Sequence, residues 1–235
     1  MAINKCLAII TARGGSKRIP KKNIKSFLGK PILDYSIKAA INANIFLEVM
    51  VSTDDEDIAN VAKASGAVVP FMRSEINSND FATTADVIVE VIKSYRQSGK
   101  EFEYVCCIYP TAPFVSAKKL QNAFQVLKES EADGVFPISE FSYPILRSLK
   151  IDDAKKVSFN WPEYELTRSQ DLTKAYQDCG QFYFLKVATF LADPRLVSNN
   201  SLGIIVSNIE MQDIDSEEDW KVAEIKYNFL QQTKQ

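Results

Sequence analysis

The chain has 235 residues, enough to bury one substantial core, and its 46% apolar and 25% charged residues suit a globular fold. A formal net charge of −2 excludes a broadly basic nucleic-acid surface, and the absence of histidine excludes Ser-His-Asp and Cys-His hydrolases and His-ligated metal sites. No apolar run approaches a membrane span, no N-terminal signal-like segment is visible, and the spacing of Cys6, Cys106, Cys107 and Cys179 matches no zinc pattern, which together point to a reducing cytoplasm.

Cys6 to Ile10 reads as a buried strand. It breaks into Thr11-Ala12-Arg13-Gly14-Gly15-Ser16-Lys17-Arg18-Ile19-Pro20-Lys21-Lys22-Asn23, where adjacent glycines meet concentrated positive charge. Free backbone N–H groups and cationic heads at a strand end suit phosphate; a solvated basic loop is the other reading. Residues 31–43 carry apolar positions at helical spacing, with Pro31 in the first turn. Phe46 to Thr53 reads as a strand. Asp54-Asp55 caps a helix over 56–65 that Gly66 stops, and Ala67 to Phe71 is a third strand candidate. This βαβαβ rhythm predicts a doubly wound α/β fold with a mostly parallel sheet covered on both faces.

Asp80 or Thr83 caps a helix running to about Gln97, with Ile88, Val91, Ile92 and Tyr95 inward. Tyr104 to Tyr109 is a fourth strand, ended by Pro110-Thr111-Ala112-Pro113, and Ser116 starts the next helix. Asp133 to Ile138 is another strand. From about 140 to 180 the periodicity lapses into aromatics, prolines and charges. That excursion reads as a substrate wall, a subunit contact, or a hairpin packed on its own domain. Gly180 to Leu185 resumes the strands, Ala188 to Leu191 is a short helix, and Gly203 to Ser207 is a last buried strand. Ser216 to Asp219 opens a terminal helix with Trp220, Ala223, Tyr227 and Leu230 inward. The whole chain, 1–235, reads as one domain.

Two polar clusters stand out beside the basic loop. In Asp213-x-Asp215 the carboxylates share a direction if the segment is extended, and Mg²⁺ is held by one or two carboxylates plus substrate phosphates; a helix-entry acidic cluster is the alternative. Arg73 with Asp80-x-x-Thr83-Thr84 sits at a strand end and helix start, where α/β sheets bind ligands, although loop and cap chemistry explains it too. The loop is neither a Walker A sequence nor a dinucleotide fingerprint.

The run Thr11 to Asn23 resembles the nucleotide-binding signature of the acylneuraminate cytidylyltransferases (CMP-sialic acid synthetases). Companion motifs follow in order: Ser52-Thr53-Asp54, Arg73 with Asp80-Phe81-Ala82-Thr83-Thr84, Pro110-Thr111-Ala112-Pro113, and Asp213-Ile214-Asp215 before Glu218-Asp219-Trp220. Phe159 to Tyr164, Thr167 to Leu172 and Asp178 to Tyr183 most resemble the pseudaminic acid branch. The resemblance implies transfer of CMP from CTP to the anomeric hydroxyl of a nine-carbon α-keto sugar acid, with a homodimer built on the excursion. It implies CTP contacts from Ala12, Arg13, Gly14, Gly15, Ser16, Lys22, Asn23, Arg73, Asp80 and Thr84, with Arg13 and Lys22 also catalytic. It further implies Mg²⁺ on the catalytic pair Asp213 and Asp215, and sugar contacts from Tyr109, Thr111, Gln181 and Tyr183. Tyr109 stands where sialic acid members commonly carry glutamine, which points away from N-acetylneuraminic acid. With no histidine, the general base is a carboxylate, a metal-held oxygen or the substrate itself. The same reaction on N-acetylneuraminic or legionaminic acid, and a non-catalytic nucleotide-binding protein of this fold, are the alternative functions.

Overall fold

The structure is a computed structural model describing residues 5–233. Its elements in chain order begin with β1 (Cys6–Thr11), β2 (Ser26–Phe27), β3 (Lys30–Pro31), α1 (Ile32–Ala43), β4 (Glu48–Ser52), α2 (Glu56–Ala64), α3 (Thr84–Gln97) and β5 (Tyr104–Ile108). They continue with α4 (Ala117–Glu129), β6 (Gly134–Glu140), β7 (Leu149–Ile151), β8 (Val157–Phe159), β9 (Tyr176–Asp178), β10 (Phe182–Lys186), α5 (Val187–Ala192), β11 (Ser201–Ile205) and α6 (Glu217–Gln232).

Seven strands form the main sheet, in the order β11-β6-β10-β5-β1-β4, with β9 also pairing β6. β1 runs parallel to both β4 and β5, so the carboxyl ends of these three strands share one sheet edge. β10 is antiparallel to β5 and β6, and β9 antiparallel to β6, which makes the sheet mixed but doubly wound. Gly180, at φ +58°, lets the chain step from β9 into β10, a left-handed conformation that favours glycine.

Alternation along the strands divides the core. Cys6, Ala8 and Ile10 face α1, α2 and α4, packing with Leu33, Ile37, Ile58, Leu120 and Phe124. Leu7 and Ile9 face the opposite way, against Ile88, Val91, Ile92 and Tyr95 of α3 and Phe190 of α5. These strands are buried on both faces, which explains their continuous apolar runs. The helix starts follow local chemistry: Asp55, Thr83, Ser116 and Ser216 each accept an N–H of the first turn through the side chain.

A third, smaller core positions the site. Ile19 from the basic loop, Phe27, Ile32, Phe114, Ile214, Trp220 and Ala223 pack together and are buried. Phe27 makes edge-on contacts with Tyr35, Trp220 and Tyr227 at ring separations of 5.4, 5.7 and 5.7 Å, each worth about 0.5–1.5 kcal/mol beyond area burial. The terminal helix is thereby fastened over the loop that follows β1.

Two expectations need correction. Ala67–Phe71 is not a strand: it makes a single bridge, Met50 with Val68, before Pro70 removes the next donor. The last strand is not buried. β11 pairs only β6 and lies at the sheet edge, with Leu202 41% and Ile205 66% exposed. Of the two caps offered for α3, the structure uses Thr83, in a reciprocal box with Asp86. Within 140–180 the chain forms the β7–β8 hairpin and three short 3₁₀ turns before β9. All four cysteines are free and buried.

Candidate active site

At the shared carboxyl edge of β1, β4 and β5 lies a cleft of about 580 Å³, within the usual range for small-ligand sites. Its lining includes Arg13, Ser16, Lys22 and Asn23 from the basic loop, Arg73, Asp80 and Thr84, Tyr109 and Thr111 after β5, and Asp213 with Asp215. The three clusters singled out in the sequence therefore converge. Ala12, Gly14, Gly15, Gln181 and Tyr183 lie outside that lining.

The loop is shaped by side chains reaching back to its own backbone. Buried Asn23 donates Nδ2 to the Arg13 carbonyl at 2.8 Å, and Asp54 accepts the Gly14 N–H at 2.9 Å. Asp55 crowds Gly14 so closely that a Cβ would stand 2.7 Å from its Oδ2, so the position needs glycine for the close approach. Ala12 donates its N–H to Ser52 and is buried in the core, continuing the strand rather than facing the cleft.

Each cation of the loop has a carboxylate opposite. Arg13 and Lys17 meet Asp80 at 2.9 and 2.5 Å, Arg18 and Lys22 meet Asp215 at 2.8 and 3.5 Å, and Lys21 meets Asp57 at 2.8 Å. The lysine and arginine beside Asp80 hold its pKa below the ordinary carboxylate value. Such pairs in a solvated cleft are individually weak, so an anionic ligand bringing several negative oxygens competes well for the same cations.

Arg73 is 8% exposed. Its Nε donates to Ser52 Oγ at 3.0 Å and its second guanidinium nitrogen to the Ser52 carbonyl at 2.6 Å, which ties the Arg73 loop to the end of β4. Burial pulls its pKa below the ordinary arginine value, partly opposed by Asp54 and Glu90. Opposite, the Tyr109 ring packs at 5.5 Å on Tyr183, whose hydroxyl donates to Asp178 Oδ2 at 2.7 Å. Burial raises both phenol pKa values. Gln181 donates Nε2 to the Glu210 carbonyl at 2.7 Å. Tyr183 and Gln181 thus support the wall that Tyr109 presents.

The carboxylate pair straddles a buried residue. Ile214 is 1% exposed and faces the third core, so Asp213 and Asp215 on either side are turned toward the cleft. Lys22 donates Nζ to the Ile214 carbonyl at 2.6 Å, which joins loop and acidic segment directly. Partial desolvation, followed by the like charge of Asp215, raises the Asp213 pKa, with Lys22 opposing. Two convergent carboxylates with this electrostatic tension suit a hard divalent cation. Among the described residues no group of three or more metal-ligating side chains occurs, so Mg²⁺ here would complete its oxygen shell from substrate phosphate and water.

Lys17, Arg18, Ile19 and Thr83, from the motifs already noted, also line the cleft, as do Asn77 and Asn79, which were not singled out. The turn-forming run Asn77-Ser78-Asn79 carried a signal: Asn79 Oδ1 accepts the N–H groups of Phe81 and Ala82, curling the rim inward.

A family model described as cytidylyltransferase matches residues 7–213. A pseudaminic acid cytidylyltransferase of Campylobacter jejuni is 39% identical, over 95% of this chain and 96% of that protein. An N-acylneuraminate cytidylyltransferase A of Danio rerio is 34% identical over 92% of this chain and 49% of its own length. Among solved structures, a CMP-2-keto-3-deoxy-manno-octonic acid synthetase complexed with CTP superposes with a TM-score of 0.69 at 17% identity, covering 97% of this chain and all of that one, which shows a shared fold.

Proposed function

The chain belongs to the cytidylyltransferase family, and from that premise we propose that it transfers CMP from CTP to the anomeric hydroxyl of a nine-carbon α-keto sugar acid, pseudaminic acid in preference to others, releasing pyrophosphate. The observation that carries this reading is the convergence of the basic loop and Asp213-x-Asp215 in one cleft, joined by the Lys22 contact to Ile214. The preference for pseudaminic acid rests on the Campylobacter relative and on Tyr109, which lines the cleft where sialic acid members commonly carry glutamine.

The reaction forms a bond from the sugar hydroxyl oxygen to the α-phosphorus and breaks the bond from that phosphorus to the oxygen it shares with the β-phosphate. Positioning and charge neutralisation supply most of the catalysis in such a displacement. Arg13 and Lys22 offset the negative charge that grows on departing pyrophosphate, with Lys17 and Arg18, which line the same cleft, assisting. Ser16 borders the phosphates, while Asn23 stiffens the loop through the Arg13 carbonyl. Arg73, Asp80 and Thr84 form the end that takes the cytidine. Tyr109 and Thr111 face the sugar, with Gln181 and Tyr183 supporting from behind. Asp213 and Asp215 would hold Mg²⁺, which would neutralise and polarise the α-phosphate.

We place residues 140–180 at a homodimer contact, because Tyr143, Leu149, Ile151, Val157 and Leu166 there are 85, 55, 67, 59 and 94% exposed. A cytoplasmic setting fits the four free thiols. Among the described residues no helix is long and apolar enough to cross a membrane.

The test supplies CTP and Mg²⁺ with pseudaminic, legionaminic, N-acetylneuraminic or deoxy-octulosonic acid and identifies the product by mass. A CMP-sugar formed fastest from pseudaminic acid supports the reading. Faster conversion of N-acetylneuraminic or legionaminic acid moves the specificity to that acid, and no product from any of them refutes the enzyme assignment.

A further inference from the structure

The metal-facing carboxylates sit in a stretch with no regular secondary structure, between a 3₁₀ turn at Asn208–Glu210 and the start of α6. Such a segment places two carboxylates accurately only if something else holds it. Lys22 and Gln181 supply two ties, described above. A third comes from α6 itself. Lys226, in its third turn, directs Nζ to the Asn208 carbonyl at 3.2 Å, the Met211 carbonyl at 2.8 Å and Gln212 Oε1 at 2.9 Å.

The chemistry of this contact is unusual for a helix lysine. An ammonium group has three donors, and here all three go to neutral oxygens of the five residues preceding Asp213. Among the described residues no carboxylate pairs with Lys226 in an ion pair, and its half-buried position lowers its pKa through desolvation. Partly desolvating a charge without a counter-ion has a cost, and a methionine of similar length would fill the space. The donors are therefore what the position supplies.

Their effect passes through Gln212. With Oε1 on Lys226, the amide must turn Nε2 the other way, where it reaches the Asp213 carbonyl at 3.2 Å and Asp219 Oδ1 at 3.3 Å. The second oxygen of Asp219 accepts the Asp215 N–H at 3.1 Å and the Ser216 N–H at 2.8 Å. One chain of hydrogen bonds thus runs from Lys226 through Gln212 and Asp219 to the backbone of both carboxylates.

We propose that Lys226, acting through Gln212, is a positioning residue that sets the geometry of the Asp213/Asp215 pair for its divalent cation. The inference rests on the functional reading above. It assigns Lys226 no contact with substrate.

Lys226→Met keeps the aliphatic stem and removes the donors; Gln212→Met breaks the next link and leaves Lys226 in place. For both variants, binding of Mn²⁺ as a spectroscopic stand-in for Mg²⁺ is followed by electron paramagnetic resonance with CTP present, alongside CTP affinity in EDTA, thermal midpoint and turnover against metal concentration. Groups that orient metal ligands without touching the metal typically govern about 10–100-fold in metal affinity or activity. The expected result is a rise of about tenfold or more in the metal concentration for half saturation in both variants, with metal-free CTP affinity within about twofold of wild type. Unchanged metal affinity in either folded variant overturns the inference and leaves the functional reading standing. A wild-type protein that neither binds Mn²⁺ nor turns over with metal overturns both. A fall in thermal midpoint alone, with metal affinity intact, reduces Lys226 to a purely structural tie.

Discussion

Ile214→Ala separates the role of the third core from ordinary stability. Ile214 is 1% exposed and packs with Ile19, Phe27 and Trp220, and the two acidic residues flank it. Truncating a buried isoleucine to alanine costs about 2–5 kcal/mol. This small peripheral core relaxes more readily than the sheet, which puts the expected cost near the lower end, about 2–3 kcal/mol. In a domain of this size each kcal/mol lowers the thermal midpoint by about 2–4 °C, so the expected fall is about 4–12 °C. The cavity also frees the backbone between Asp213 and Asp215 and loosens the carbonyl that Lys22 grips at 2.6 Å. A displacement of about 1 Å at a reacting centre costs on the order of a hundredfold in rate. The matched control is Ile92→Ala, the same deletion at a buried residue of the opposite core layer. Calorimetry gives the two stability losses, and pyrophosphate release measured well below both midpoints gives turnover. We predict a destabilisation no greater than that of Ile92→Ala and a loss of turnover at least tenfold greater for Ile214→Ala. Equal turnover in the two variants would refute the claim that this core sets the site.

Asp215→Asn should abolish most turnover while changing stability by less than about 1 kcal/mol, because its ion pairs to Arg18 and Lys22 are solvated; a large fall in the thermal midpoint would make the carboxylate structural. Gly14→Ala places a Cβ 2.7 Å from Asp55 Oδ2 and should raise the CTP concentration for half-maximal rate several-fold, whereas unchanged kinetics would show that the loop gives way freely. The Ser216 hydroxyl and nearby N–H groups lower the Asp219 pKa, so the folded state holds this proton less tightly than the unfolded chain. The stabilisation from Asp219 is therefore complete above the unfolded carboxylate value, about 4, and lost as pH falls through the lower folded value. Urea midpoints of wild type and Asp219→Asn should differ at pH 7 and converge at the acid end, while a constant difference would contradict the assignment.

Much of the fold is written in local patterns. The 3.6-residue spacing of Ile88, Val91, Ile92 and Tyr95 and the caps at Asp55, Thr83, Ser116 and Ser216 give helices whose starts match the structure. Strand direction is less legible, since the buried run Phe182 to Leu185 looks the same whichever way it pairs, and β10 runs against its neighbours. Nor does an apolar run reveal whether its second face is covered, so Gly203 to Ser207 read as buried while β11 lies at an edge. The site divides similarly. Arg13, Lys22, Asn23, Asp213 and Asp215 are visible as residue types suited to phosphate and metal, but their meeting depends on Ile19 packing beside Ile214, a long-range contact with no local signal. Lys226 is hidden for the same reason: on an amphipathic helix it looks like one more solvated lysine, and only the folded chain shows the carbonyls it gathers.

The most direct test of the joined basic and acidic clamp is pyrophosphate release from CTP and pseudaminic acid, with Mg²⁺ and with EDTA, for wild type, Arg13→Ala and Asp215→Asn. The account predicts release by wild type only with metal, and a loss of about tenfold or more in each variant, consistent with charge stabilisation of the transition state. Turnover in EDTA, or full activity in either folded variant, would contradict it.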